Sequence, residues 1–149
     1  MRVYIICSVR NASPELQGRL EAYTDWLEDK GHEVHLPHRD TDQKASGYDI
    51  CMQNGIAIAM AEEVHILYDK TSQGSHFDLG IAFAYDQLFK HRKRIRVIEF
   101  PDYTEKVPAG KSFARMLEEW GVEQNHNAKL YPQIAEGMEL DFELPFETF

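Results

Sequence analysis

One stretch leaves the chain little freedom in how it folds: Glu63 to Asp86, EVHILYDKTSQGSHFDLGIAFAYD. An apolar run from Val64 to Tyr68 has the composition of a strand buried on both faces. It stops at Asp69 and passes through the polar turn Lys70-Thr71-Ser72-Gln73-Gly74-Ser75. An almost wholly apolar helix is predicted to follow, from Phe77 to Tyr85. A buried strand leading directly into a helix is the building unit of a parallel sheet covered by helices. Ligands of such sheets bind outside the carboxyl ends of the strands, where the N–H groups of helix starts attract negative charge. The turn is therefore the predicted site of chemistry. Asp78 stands out in it, a carboxylate expected in the first helical turn, followed by Leu79 to Ala84 with no polar side chain.

The rest of the chain repeats the unit. Residues 2 to 8, RVYIICS, read as an interior strand. After the loop Ser8-Val9-Arg10-Asn11-Ala12, Ser13 suits an N-cap, Pro14 the first helical position and Glu15 the positive end of the helix dipole. The spacing of Leu16, Leu20, Tyr23, Trp26 and Leu27 predicts a helix over Pro14 to Lys30, stopped by Gly31. His32 to Pro37 reads as a second strand, and the residues from His38 to Asp49 as a polar loop. A helix is expected from Tyr48 to Ala61, with Asn54 in its apolar stripe. Arg94 to Phe100 reads as a fourth strand, Pro101 and Pro108 bracket a loop, and Lys111 to Trp120 reads as a helix closed by Gly121. The predicted fold is α/β: a three-layer, flavodoxin-like (Rossmann-like) parallel sheet with helices on both faces, formed by residues 1–149 as one domain.

Composition excludes several function classes. The 149 residues carry a net charge of −9, which opposes binding to nucleic acid, where phosphates must be neutralised. A small molecule is the expected partner. The apolar runs are too short to span a bilayer, and residues 3–7 have no small-residue cleavage site after them, so a cytoplasmic protein without a membrane helix is expected. Cys7 and Cys51 lie in apolar stretches and read as reduced thiols. His35 and His38 fall on a strand and its exit, pointing to opposite faces, which argues against a metal site. The basic run KHRKRIR is expected to complement the end of the preceding helix and stay solvated.

Two readings of Asp78 stand side by side on spacing alone. Ser75-His76-Phe77-Asp78 matches the capping box, in which hydroxyl and carboxylate satisfy free backbone donors reciprocally. The alternative is a carboxylate nucleophile, kept ionised by the helix dipole, beside a Gly74 that leaves room for a ligand.

Four motifs resemble the nucleoside 2-deoxyribosyltransferase superfamily: YIICSVRN at the first strand end, LPH at the second, QNGIAIAMAEEV in the second helix and SQGSHFDLGIA in the central unit. Within it the chain is most similar to the 2'-deoxynucleoside 5'-monophosphate N-hydrolases, over roughly residues 3 to 100. The resemblance implies that Asp78 is the nucleophile that attacks the anomeric carbon, with Leu79, Gly80 and Ala82 completing the motif. It implies that Ser8, Arg10 and Ser72 hold a 5'-phosphate and that His38 contacts the base; Asn11, Gly74 and Ser75 complete the expected substrate-binding set, and the N–H groups of the helix start near Ser75 suit an anion. The sequence departs from the family at three positions. Asp78 stands where a glutamate is usual and draws the carboxylate back by one methylene; a misplacement of about 1 Å costs on the order of 100-fold in rate. Asn54 stands where the family has an aspartate that assists sugar positioning and proton transfer. Cys7 stands where relatives often have glycine.

The implied function is cleavage or transfer at the N-glycosidic bond of a nucleoside or nucleoside 5'-monophosphate, with no metal and no cofactor. The competing function is a catalytically silent nucleotide-binding module of the same fold, favoured by Asn54. The tail from Ala135 to Phe149 alternates acidic and apolar residues, with Leu140, Phe142, Leu144 and Phe146 on one side of an extended segment. That pattern, with the resemblance to an oligomeric superfamily, predicts a homodimer or larger homo-oligomer.

Overall fold

The computed structural model describes residues 1–10, 12–89, 93–98, 112–123 and 129–130. Strand β1 is Arg2–Ile6, buried from Val3 onward. Helix α1, Pro14–Asp29, starts as its sequence dictates: Ser13 caps it through a bond from the Leu16 N–H, and Pro14 opens the first turn. At its other end the Gly31 N–H bonds Glu28 at 2.8 Å and the His32 N–H bonds Leu27 at 3.1 Å. This Schellman closure needs a left-handed residue, and Gly31 supplies it at φ 83°. Strand β2 is Glu33–His35, and α2 is the single turn Pro37–Asp40. Helix α3 is Gly47–Met60, capped by Ser46; β3 is Glu63–Ile66 and α4 Gln73–Phe83. Strand β4 is Arg94–Ile98, α5 Phe113–Glu123 and β5 Lys129–Leu130.

The five strands are parallel and ordered β2-β1-β3-β4-β5, the flavodoxin-like order. Alternation along β1 divides the core. Val3, Ile5 and Cys7 face Leu20, Tyr23 and Leu27 of α1. Tyr4 and Ile6 face Ile58 of α3, Leu79 and Ala82 of α4, and Leu117 and Trp120 of α5. Helices on both faces are what a parallel sheet requires when its inner strands, β1 from Val3 onward and β3 throughout, are buried. The chain leaves β1 toward β2 on one side and enters β3 on the other, so the crevice between the ends of β1 and β3 is the topological switch point.

Several expectations need correction. Helix α4 begins at Gln73, four residues earlier than predicted, because the Ser72 hydroxyl takes the Ser75 N–H at 3.2 Å and caps it there. The Ser75–Asp78 capping box is therefore not formed; Asp78 lies in the second turn, facing inward. The helix also runs past Tyr85, through a π-helical turn, Ala84–Leu88. There the buried Asp86 accepts the Trp120 indole N–H at 2.8 Å and the Lys93 backbone N–H at 3.0 Å. Helix α5 continues through Gly121 to Glu123, since burial of Leu117 and Trp120 outweighs the roughly 1 kcal/mol that a helical glycine costs. The basic run is not all solvated: Lys93 is buried and its ammonium donates to the Ala59 and Ala61 carbonyls at the end of α3, and Arg96 donates to Glu63 at 2.9 Å. The loop after β2 contains α2, begun by Pro37 and tied by the Asp40 carboxylate to the Leu36 N–H at 2.8 Å. The Pro101 to Pro108 loop and the tail from Ala135 lie outside the described residues.

Candidate active site

Asp78 is presented by α4, whose inner face is Ser75, Asp78, Leu79 and Ala82. It lies over β1, where the Tyr4 side chain is fully buried, and a buried phenol must find a partner. Its hydroxyl donates to Asp78 Oδ2 at 2.9 Å. The Asn54 side-chain amide, brought across by α3, donates to the same oxygen at 3.1 Å. Both bonds converge on Oδ2, and Oδ1 receives none from the described residues. The carboxylate is thus held by one oxygen and offers the other. Burial pushes its pKa up to about 6, against the opposing pull of the Tyr4 and Asn54 bonds. The carboxylate sits one turn beyond the helix start, where the dipole has faded, so burial sets the direction of the shift. Burial, followed by the Asp78 charge, also pushes the Tyr4 phenol well up, so it remains a donor.

Behind Asn54 lie two residues that sequence reasoning gave no role at the site. The Thr41 hydroxyl donates to Asn54 Oδ1 at 2.7 Å, and His35 Nε2 lies 2.9 Å from Thr41 Oγ1. Tyr4 and His35 are register partners on β1 and β2, so their side chains share a face and their rings stack, with centroids 5.2 Å apart and planes 15° from parallel. The sequence signal for Tyr4 is a hydroxyl within the apolar run Val3 to Cys7; Thr41 and His35 carry none, because the fold and not the local sequence brings them to Asn54 and Tyr4.

The other predicted residues lie in or near the crevice at the strand ends, with different degrees of engagement. Ser8 is buried after β1, on the side of the Asp69 carboxylate, which holds the Thr71 N–H at 2.8 Å and the Thr71 hydroxyl at 2.7 Å. Burial raises Asp69, but these bonds outweigh it and keep it below its ordinary range. Ser72 is the cap of α4, and the Ser75 hydroxyl donates to it at 2.9 Å. A Cβ built on Gly74 meets no atom within 4 Å, so the helix start is open there. Arg10 is exposed in the turn after β1 and makes no side-chain bond to another described residue. His38 is turned toward α1, its Nε2 2.9 Å from Glu21, with Nδ1 buried and unpartnered among the described residues. Asn11 lies outside the described residues. His76 is fixed by its Nδ1, 2.7 Å from the Ser72 carbonyl, and meets the edge of Tyr68.

No family model matches the sequence, and no curated protein does. Solved structures do. The CMP N-glycosidase BcmB of Clostridium botulinum aligns over 88% of this chain and 87% of its own, with a TM-score of 0.53 at 20% identity. A 2-deoxyribosyltransferase from Bacillus psychrosaccharolyticus aligns over 85% of this chain and 93% of its own, with a TM-score of 0.56 at 14% identity. The chain has the fold of these enzymes.

Proposed function

We propose that this chain cleaves or exchanges the N-glycosidic bond of a nucleoside or nucleoside 5'-monophosphate, with Asp78 as nucleophile. The observation that carries the reading is the one-sided clamp on its carboxylate: Tyr4 and Asn54 bind Oδ2 and leave Oδ1 to attack. In a double displacement Oδ1 forms a bond to C1', the bond to the base breaks with its electron pair, and the base leaves. Water or a second base then attacks C1' and releases the carboxylate. Asn54 has no proton to lend to the departing base, so that proton comes from solvent or another group. The fold shared with an N-glycosidase and a deoxyribosyltransferase supports this class of reaction.

The open start of α4 at Gly74, with Ser72 and the unengaged Arg10, suits the phosphate of a monophosphate. Two free thiols support a reducing, cytoplasmic setting, and no helix among the described residues is long and apolar enough to cross a membrane. The proposal includes a homodimer. Incubation with a panel of nucleosides and 5'-monophosphates, with free base followed by chromatography, tests the function. Release or exchange of base is expected. Binding without either would leave a nucleotide-binding module, the reading for which an amide at position 54 speaks.

A further inference from the structure

The hydrogen bonds behind Asp78 have only one possible direction. An ionised carboxylate accepts and never donates, so Asn54 must turn its Nδ2 toward Asp78 and its Oδ1 toward Thr41. Thr41 must then spend its single hydrogen on Asn54 Oδ1, at 2.7 Å. Its oxygen can only accept from His35, whose Nε2 lies 2.9 Å away and must carry the proton. Thr41 and Asn54 are both buried, so water does not readily replace either bond. The His35 ring is itself held flat against Tyr4, which donates to the same carboxylate oxygen.

We propose that His35 and Thr41 are positioning residues: the chain His35, Thr41, Asn54 locks the Asn54 amide in the orientation that binds Asp78 Oδ2 and leaves Oδ1 toward the substrate. The inference rests on the reading of Asp78 as nucleophile, but the polarity of the chain does not. It also gives the amide at position 54 a purpose. A carboxylate there would lie about as close to Asp78 as the present 3.1 Å bond and would need a proton to be tolerated. The amide donates without one. Without the Thr41 hydroxyl both orientations of the amide become accessible, and one of them sets oxygen against oxygen.

The groups that bear on the titration of the carboxylate are Tyr4 of β1 and Asn54 of α3, with the Cys7 thiol just after β1 and Cys51 of α3 near Tyr4; His35 faces Tyr4, Thr41 and the Arg39 and Asp40 charges of α2. The test compares Thr41→Val with Thr41→Ser in the full chain, by two readouts. The first, independent of activity, is NMR: the His35 ring nitrogens should report the Nε2–H tautomer, and the Asp78 carboxyl carbon should titrate at higher pH in Thr41→Val and at the original pH in Thr41→Ser. The second is kinetic: Thr41→Val should lower kcat by on the order of 10-fold or more with KM little changed, and Thr41→Ser should restore it. An Nδ1–H tautomer, or an Asp78 titration that Thr41→Val leaves in place, overturns the inference. An unchanged kcat in Thr41→Val, with the NMR result as expected, overturns the positioning role. Absence of turnover in the unaltered protein overturns the proposed function instead and leaves the NMR arm to decide the polarity of the chain.

Discussion

At the scale of single residues, Asp78 sets the balance between stability and chemistry. Its pKa, raised from 3.8 to about 6, means that the folded chain holds the carboxyl proton more tightly than the unfolded one. The stability this lends is complete below about pH 3.8 and is lost as pH rises through about 6, so at neutral pH the ionised group is a cost. Two units at 1.36 kcal/mol each place that cost at about 3 kcal/mol. Asp78→Asn keeps an oxygen for Tyr4 and Asn54 and removes the charge. It should raise the thermal midpoint at pH 7 while lowering base release by on the order of 1,000-fold or more, as measured by calorimetry and chromatography. The nucleophile must be ionised, so activity should fall as pH drops through about 6. Arg10→Ala should weaken monophosphate binding by about 1.5 to 3 kcal/mol and leave nucleoside binding nearly untouched, since only the phosphate gives the guanidinium a charged partner. Calorimetric titration with both ligands checks this, and equal losses would remove Arg10 from the phosphate site.

At the scale of elements, the base of β3 is held by buried charge. Burial opposes the Glu63 carboxylate, but His65 at 3.0 Å and Arg96 at 2.9 Å outweigh it and bring its pKa down to about 2. His65 in turn meets the Tyr23 hydroxyl of α1 at 2.7 Å. A lowered carboxyl pKa stabilises fully above the unfolded value, and the stability is lost as pH falls from about 4.5 through about 2. Glu63→Gln should therefore flatten the acid limb of a stability profile measured by urea unfolding at graded pH; an unchanged limb would assign acid sensitivity elsewhere. These elements were legible in the sequence where local chemistry decides them. Ser13-Pro14-Glu15 and Gly31 mark the two ends of α1 without help from the fold. The start of α4 is not legible in the sequence, because Ser72 and Ser75 both suit an N-cap and the local pattern does not choose between them. Asp78 and Asn54 were legible through motif and stripe. Tyr4, Thr41 and His35 were not, since the bonds that join them to the site span 6 to 74 residues of chain.

At the scale of the whole molecule, α3 presents a face that suits the proposed dimer. Tyr48, Met52, Ile56 and Met60, four residues apart, are 74, 46, 55 and 53% exposed. The one ionisable carboxylate of this helix, Asp49, is bonded to the Ser46 hydroxyl at 2.7 Å. A chain of net charge −9 repels its copy, and an uncharged stripe meeting itself across a two-fold axis brings no like charges together. Ile56→Glu should convert a dimer to a monomer by light scattering, whereas a dimer that survives it would place the interface elsewhere. The same helix supplies Asn54 from its opposite side, so the proposed interface and the site share one element. The central claim concerns the bond that Asp78 forms. Acid quenching during turnover, proteolysis and mass spectrometry should find a glycosyl group on the peptide containing Asp78, absent in Asp78→Asn. Base release without that adduct, and undiminished in Asp78→Asn, would contradict a carboxylate nucleophile at this position.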